Sequence, residues 1–253
     1  MDLGLAGRTV VITGATGDIG FTCAEGFAAE GARLVLFSRT AETLEDAASR
    51  LRDRFGAEAV AVPGDMTSDE DVRRLADIVN DRFGGADVLV LNTGRPPKGL
   101  REVLDEDEWD RWDAAHEVQL RGGVRVVAAL VPSMIEKKDG RIVAITSASI
   151  KHPMPHHGLS TIYRAGLAAY LKHLANEIAE TGVTVNMIAP ASVGTQTFLA
   201  NWDPEVRKKL VPMRRLGKPE ELASAVLYFA SRNAGFITGI HLPVDGGMTA
   251  SLT

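Results

Sequence analysis

Near its N-terminus the chain reads Thr13-Gly14-Ala15-Thr16-Gly17-Asp18-Ile19-Gly20, directly after the apolar run Val10-Val11-Ile12 and before a helical pattern. Glycines permit a tight turn and let the backbone approach a pyrophosphate, whose charge is favoured by the exposed N–H groups and dipole of a helix N-terminus. Asp18 interrupts that chemistry: an acid in a first helical turn is an ordinary cap, and one aimed inward would repel a phosphate. The next apolar run ends Phe37-Ser38-Arg39, nineteen residues past Gly20. A carboxylate there would accept hydrogen bonds from an adenosine ribose, whereas Arg39 can pair with a 2′-phosphate, which favours NADP(H) over NAD(H). A second group of reactive side chains, Ser147, Lys151, His152, His156, His157, Ser160, Tyr163 and Arg164, falls within eighteen residues. Histidine titrates near neutrality, and arginine keeps a fixed fork of donors with a permanent charge. No metal site is expected, because Pro153 and Pro155 break the segment, the spacing is not that of a helical His-x-x-x-His pair, and no carboxylate is close in sequence.

The elements that must hold these residues alternate from end to end. The runs Val10-Val11-Ile12, Leu34-Val35-Leu36-Phe37, Ala59-Val60-Ala61-Val62, Val88-Leu89-Val90-Leu91, Ile142-Val143-Ala144-Ile145 and Val183-Thr184-Val185-Asn186-Met187-Ile188 are near-continuously apolar, as strands buried on both faces require. A last strand is expected at 240–244. Between them lie helical patterns at roughly 18–30, 41–54, 68–83, 107–137, 160–181 and 218–231. The alternation predicts right-handed βαβ crossovers and one α/β domain, a Rossmann-like doubly wound parallel sheet with helices on both faces. Ligands of such sheets bind beyond the carboxyl ends of the strands. The net charge of −5 supplies no basic surplus for a nucleic-acid partner. The N-terminus lacks a signal-peptide pattern, and no apolar run is read as approaching the roughly 20 residues that span a bilayer. Cys23 stands alone and falls in the first helical pattern, where a small buried hydrophobe is expected. A cytoplasmic protein with a small-molecule partner is the expectation.

Further motifs recur at matching places. Leu91-Asn92-Thr93-Gly94 follows the fourth run, Pro190-Ala191-Ser192-Val193-Gly194-Thr195 follows the sixth, Gly64-Asp65-Met66-Thr67 follows the third, and Arg215-Leu216-Gly217-Lys218-Pro219-Glu220-Glu221 and Val244-Asp245-Gly246-Gly247 lie near the C-terminus. With the loop at 13–20, these make the chain resemble the short-chain dehydrogenase/reductase family over nearly its whole length, most closely members of the 3-oxoacyl-[acyl-carrier-protein] reductase type. The resemblance has one departure in the loop, since Asp18 occupies a glycine position. It implies a nicotinamide dinucleotide held by Thr13, Gly14, Thr16, Gly17, Asp18, Ile19, Gly20, Ser38, Arg39, Asp65, Met66, Asn92, Thr93, Gly94, Arg164, Pro190, Val193 and Thr195. Asp65 would contact the adenine and Thr195 the carboxamide. It also implies a substrate lid at about 194–215, a carbonyl or alcohol substrate, and a homo-oligomer, dimer or tetramer.

In that family the catalytic serine is followed thirteen residues later by tyrosine and four further on by lysine. From Ser147 the same spacing lands on Ser160 and Arg164, with Gln119 at the position of the family's relay asparagine, although alignment on Trp109 would shift that last match. A serine in place of tyrosine as the acid–base group weakens it by several pKa units, on the order of 4 kcal/mol or a thousandfold in rate. Tyr163, Lys151, His152 and His156 are the other candidates for a proton donor. Three readings follow: an NADP(H)-dependent oxidoreductase with an altered proton relay, a cofactor-binding protein without catalysis that acts as a sensor or oligomer partner, and a non-redox lyase similar to the haloalcohol dehalogenases, whose arginine Arg164 matches.

Overall fold

In the computed structural model of the protein, which describes residues 1–251, the apolar runs form seven strands: β1 (Thr9–Thr13), β2 (Arg33–Ser38), β3 (Ala59–Pro63), β4 (Val88–Asn92), β5 (Gly140–Ile145), β6 (Val183–Pro190) and β7 (His241–Val244). They make one parallel sheet in the order β3-β2-β1-β4-β5-β6-β7. Chain direction reverses its spread between β1 and β4, so the loops after β1 and β4 meet there, as in other doubly wound sheets. Side chains alternate across the sheet. Val10 and Ile12 pack with α1 (Asp18–Ala29), α2 (Ala41–Phe55) and, at the C-terminal end of the chain, the helix Pro219–Ala230. Val11, Leu89 and Leu91 pack on the other face with α3 (Asp69–Phe83) and the helices between β4 and β6. Cys23 lies fully buried in the first of these layers, and burial pushes its thiol up to about 12.

The helical pattern at 107–137 divides. It contains α4 (Trp109–His116), a π-helical turn over Glu117–Arg121, and α5 (Gly122–Lys137). The wide turn ends on Gly122, where a Cβ would lie 2.8 Å from Met66 Cγ and 3.0 Å from the Glu117 oxygen. The whole run Trp109–Lys137 is long and apolar enough, by length and composition alone, to cross a membrane, which corrects the expectation of no such run. Its apolar residues Val126, Val127, Leu130 and Met134 are buried against the sheet. The pattern at 160–181 becomes α6 (Gly158–Glu177) followed by a 3-10 turn, Ala179–Thr181, and stops at Gly182 with φ +81°. A Cβ there would meet the Lys138 oxygen at 2.4 Å, so only glycine fits. Residues 194–215 hold two short helices, α7 (Gln196–Asn201) and α8 (Pro204–Leu210), ahead of α9 (Pro219–Ala230).

The two ends of the sheet differ. At the amino ends of the strands, Arg8 and Arg141 are nearly buried and share the carboxylate of Asp139, while Asp87 accepts the Thr9 N–H at 2.7 Å and pairs with Lys137 at 2.9 Å. Beyond the carboxyl end of β5, the Thr146 hydroxyl donates to the Ile188 oxygen at 3.0 Å, so the His241 Nε2–H, 2.7 Å away, donates to Thr146. Burial, and then the charge of Lys151, pull the His241 imidazole down to about 4 from 6.5. Between those pH values the unfolded chain binds the proton and the folded chain does not. The stability that follows, about 1–2 kcal/mol after allowance for partial exposure, is fully present above pH 6.5 and lost as the pH falls through 4. A His241→Asn variant is expected to lose that part of the slope when urea unfolding is compared at pH 4, 5, 6 and 7.

Candidate active site

The turn after β1 is fixed from both sides. The Thr13 hydroxyl donates to the Asn92 oxygen at 3.1 Å and accepts from the Asn92 N–H at 2.9 Å, which locks the ends of β1 and β4 together. Gly14 has φ +59°, and a Cβ on it would lie 2.9 Å from Asn92 Nδ2. A Cβ on Gly20 would lie 2.3 Å from the Gly14 oxygen, so α1 presses on the turn as only glycine allows. Gly17 has φ −80° and its nearest neighbour would be at 3.5 Å. It caps α1 without a side chain, which leaves the N–H groups of the first turn free for an anion. Ile19 packs into the core behind them. The Asp18 carboxylate is not the cap. It reaches across to α7, accepting from the Thr197 N–H at 3.2 Å and from its hydroxyl at 3.4 Å.

At the end of β2, Ser38 Oγ stands 3.0 Å from Thr16 Oγ1, and Arg39 follows it, exposed and without an ion pair among the described residues. After β3, Asp65 accepts from the Thr67 N–H and hydroxyl, each at 2.9 Å, and gives its own N–H to Asp71 at 2.9 Å. That bond, ahead of Arg74, holds the Asp71 carboxyl below the usual carboxylate range. Met66 rests against the π turn at Gly122. Pro190 closes β6, Val193 bridges to Gly217, and Thr195 caps α7, accepting the Phe198 N–H at 3.1 Å. Thr93 is buried with no partner for its hydroxyl.

The centre is built by α6, the π turn and the ends of β4 and β5. Ser160 and Arg164 are one helical turn apart, and Arg164 Nε donates to Ser160 Oγ at 3.2 Å. The rest of the guanidinium donates to the oxygens of Ile145 and Thr146 at 3.2 Å each and of Gly94 at 3.3 Å. Gln119 is fully buried, and its Nε2 donates to the Gly94 oxygen at 3.4 Å and to Ser160 Oγ at 3.5 Å, while its Oε1 has no partner. Trp109, the alternative anchor for that alignment, lies exposed at the start of α4. No carboxylate pairs with Arg164 among the described residues. Burial, and then the charge of Arg95, pull it down to about 10, so it remains charged at neutral pH. Ser147 caps the 3-10 turn Ala148–Ile150, with its Oγ 2.9 Å from Ser149 Oγ.

Other candidates for a proton donor lie apart from this cluster. Tyr163 turns to α4, edge-on to Trp112 at 6.3 Å and 5.5 Å from His116, and has no hydrogen bond to Ser160. Burial, and then Asp113, push its phenol above the ordinary tyrosine range, so it is a weaker acid there. Lys151 faces His241. His152 is exposed, and His156, in a left-handed turn with φ +61°, lies 3.2 Å from Glu102. A narrow cleft between Pro97, Leu100, His157 and Leu159 leads to Ser160, whereas the larger cavity of about 360 Å³ lies between Val193, Met213, Leu222 and Val244 and touches none of the central residues.

Some features left no mark in the sequence. The buried pair Arg111 and Glu106, 2.7 Å apart, anchors the loop after β4, with Arg111 also donating to the oxygens of Lys98 and Gly99. His157 stacks on Trp202 at 6.0 Å, tying the start of α6 to the segment between α7 and α8. The glycine geometry yields a test. Gly20→Ala is expected to cost about 1–3 kcal/mol in urea unfolding through overpacking, and Gly17→Ala to stay within about 0.5 kcal/mol.

The family model described as Enoyl-(Acyl carrier protein) reductase matches residues 14–249. Over 250 residues the chain is 34% identical to 3beta-hydroxysteroid dehydrogenase 1 of Eggerthella lenta, covering 97% of this chain and 95% of the relative. It is 33% identical over 250 residues to the 3-oxoacyl-[acyl-carrier-protein] reductase FabG of Vibrio cholerae, covering 97% and 99%. Among solved structures, L-sorbose reductase of Gluconobacter frateurii, complexed with NADPH and L-sorbose, matches with a TM-score of 0.93 at 31% identity over 100% of both chains. With its sheet order, its glycine turn and these matches across nearly all its length, the chain belongs to the short-chain dehydrogenase/reductase family.

Proposed function

We propose that the protein is an NADP(H)-dependent oxidoreductase that interconverts a ketone and a secondary alcohol, with Ser160 and Arg164 in the places of the family's tyrosine and lysine. The observation that carries this reading is the hydrogen bonding of Ser160: its oxygen accepts from both Arg164 and Gln119, which leaves its own proton for a substrate oxygen. The same two donors stabilise negative charge on Oγ, and no carboxylate quenches the charge of Arg164. Ser147 and Ser160 would hold the substrate oxygen between them, with Arg164 fixing the polarity of the site. The cofactor, when bound, supplies or accepts the hydride. The Gly14 and Gly20 turn, with the free N–H groups of α1, fits its pyrophosphate, and Thr195 and the unpaired Thr93 hydroxyl fit its nicotinamide end. Arg39, exposed and without an ion pair among the described residues, supports the 2′-phosphate of NADP(H). The sorbose reductase, which holds NADPH, gives independent support for that choice. Residues 194–215 serve as the substrate lid on this reading, and light scattering tests the dimer or tetramer that goes with it.

A second reading keeps the cofactor and drops the chemistry. It is favoured by the use of Arg164, three of whose contacts are to backbone oxygens, and by the lack of an acid stronger than serine beside it. Two measurements separate the readings. Arg39→Asp is expected to weaken NADPH binding about thirtyfold, roughly 2 kcal/mol, by thermal shift or fluorescence titration, with little effect on NADH. Against a panel of ketones that includes 3-oxoacyl thioesters, Ser160→Ala is expected to lower turnover at least about tenfold with NADPH binding intact. Ser160→Tyr combined with Arg164→Lys is expected to raise it. NADPH binding without turnover by the unaltered protein across that panel leaves the second reading standing.

A further inference from the structure

Asp18 stands where the family's turn has a glycine, on the first residue of α1, yet its carboxylate caps no N–H of α1. Its carboxylate spans the cleft to α7, taking the Thr197 N–H at 3.2 Å and the Thr197 hydroxyl at 3.4 Å. That N–H is one of the first-turn donors of α7 that has no partner within its helix, because the cap Thr195 serves the Phe198 N–H. The segment it reaches has little else to hold it. Neither α7 nor α8 has a buried residue, and Leu199, Val206 and Leu210 are exposed. Other ties lie mainly at its two ends: the buried cap Thr195 before α7 and, past α8, the buried Val211 with the bond from the Met213 N–H to the Gly246 oxygen at 3.2 Å, while between them Trp202 stacks on His157. Between those buried ends, polar contacts and not core packing hold the helices α7 and α8 themselves over the turn.

We propose that Asp18 is a positioning residue that latches α7 over the phosphate turn. The bond accounts for an acid at this place in the chain. An unneutralised carboxylate beside the free N–H groups of α1 opposes an incoming pyrophosphate, and the two donors of Thr197 draw it to the lid side. Release of the latch frees the lid and returns the carboxylate to the turn, so lid opening and cofactor release are coupled through one side chain.

The test uses the cofactor-free protein and limited trypsin digestion, which reads opening of the lid at Arg207, Lys208 and Lys209 in α8. Asp18→Gly removes the acceptor. Thr197→Pro removes both donors without touching the turn, at a position in the first helical turn where proline is tolerated. Each is expected to speed nicking about fivefold, the loss of roughly one net hydrogen-bond energy, with unfolding by urea unchanged. The double variant is expected to be nicked no faster than either single one. Asp18→Asn, which keeps an acceptor for the Thr197 N–H and drops the charge, is expected to stay within twofold of the unaltered protein. Unchanged nicking in Thr197→Pro, or effects that multiply in the double variant, overturns the latch. A second arm, stopped-flow release of NADPH, rests on the cofactor reading above: Thr197→Pro, which frees the lid and keeps the carboxylate, is expected to release it about fivefold faster, and Asp18→Gly, which frees the lid but removes the carboxylate, is expected to speed release by less. Failure of NADPH to bind would sink that reading and leave the digestion arm to decide the latch.

Discussion

A positive charge held away from any carboxylate must be compensated by dipoles, and Arg164 meets that demand with the carbonyl oxygens of Gly94, Ile145 and Thr146. Those oxygens lie at or just past the ends of β4 and β5, which the sheet ladder already pairs, so the guanidinium fixes the spacing of α6 to both strand ends. The rest of the centre follows from that spacing. A Cβ on Gly94 would meet Val118 Cγ1 at 2.3 Å and displace that side chain from the π turn, and the Gly94 oxygen is shared with Gln119. Gln119 in turn reaches Ser160 from a turn one residue wider than an α-helix allows. Lysine, with a single ammonium, offers no fork able to serve these oxygens and Ser160 together.

The glycine turn after β1 obeys a steric rule and the proposed lid a polar one. Around Gly14 and Gly20 the backbone comes so near itself that a single methyl has no room, and the turn keeps one shape as a result. Across the cleft, α7 and α8 are surface helices bounded by the buried Thr195 and Val211 and tied between them by a carboxylate and a ring stack. A rigid floor and a lightly held roof suit a site that must take in a large cofactor and let it go.

Most of the fold could be read from the chain because its information is local. Parallel strands buried on both faces are apolar runs, and the longer helices carry their core residues at helical spacing, so the seven strands fall within one or two residues of the sequence reading. The glycine turn was equally legible, although the sequence could not tell Gly20, which packing requires, from Gly17, which it does not. Long-range contacts left no such trace. Asp18 and Thr197 are 179 residues apart, and nothing near either one in sequence announces the other. Tyr163 is one turn from Ser160 in sequence, but the rings of Trp112 and His116 draw it to α4. The π turn was hidden because its residues, Glu117 to Arg121, continue the helical pattern on either side.

The charged lock at the amino ends of the strands, where Arg8 and Arg141 share Asp139 and Asp87 holds Thr9, lies at the far end of the sheet from the lid. Cohesion and chemistry are thereby vested in opposite ends of the same strands. Loops at the reactive end are free to vary in length and composition without disturbing what keeps the sheet in register. Such a division lets one scaffold vary in α7 and α8, and lets the residues around Ser160 and Arg164 vary while the fold survives the change.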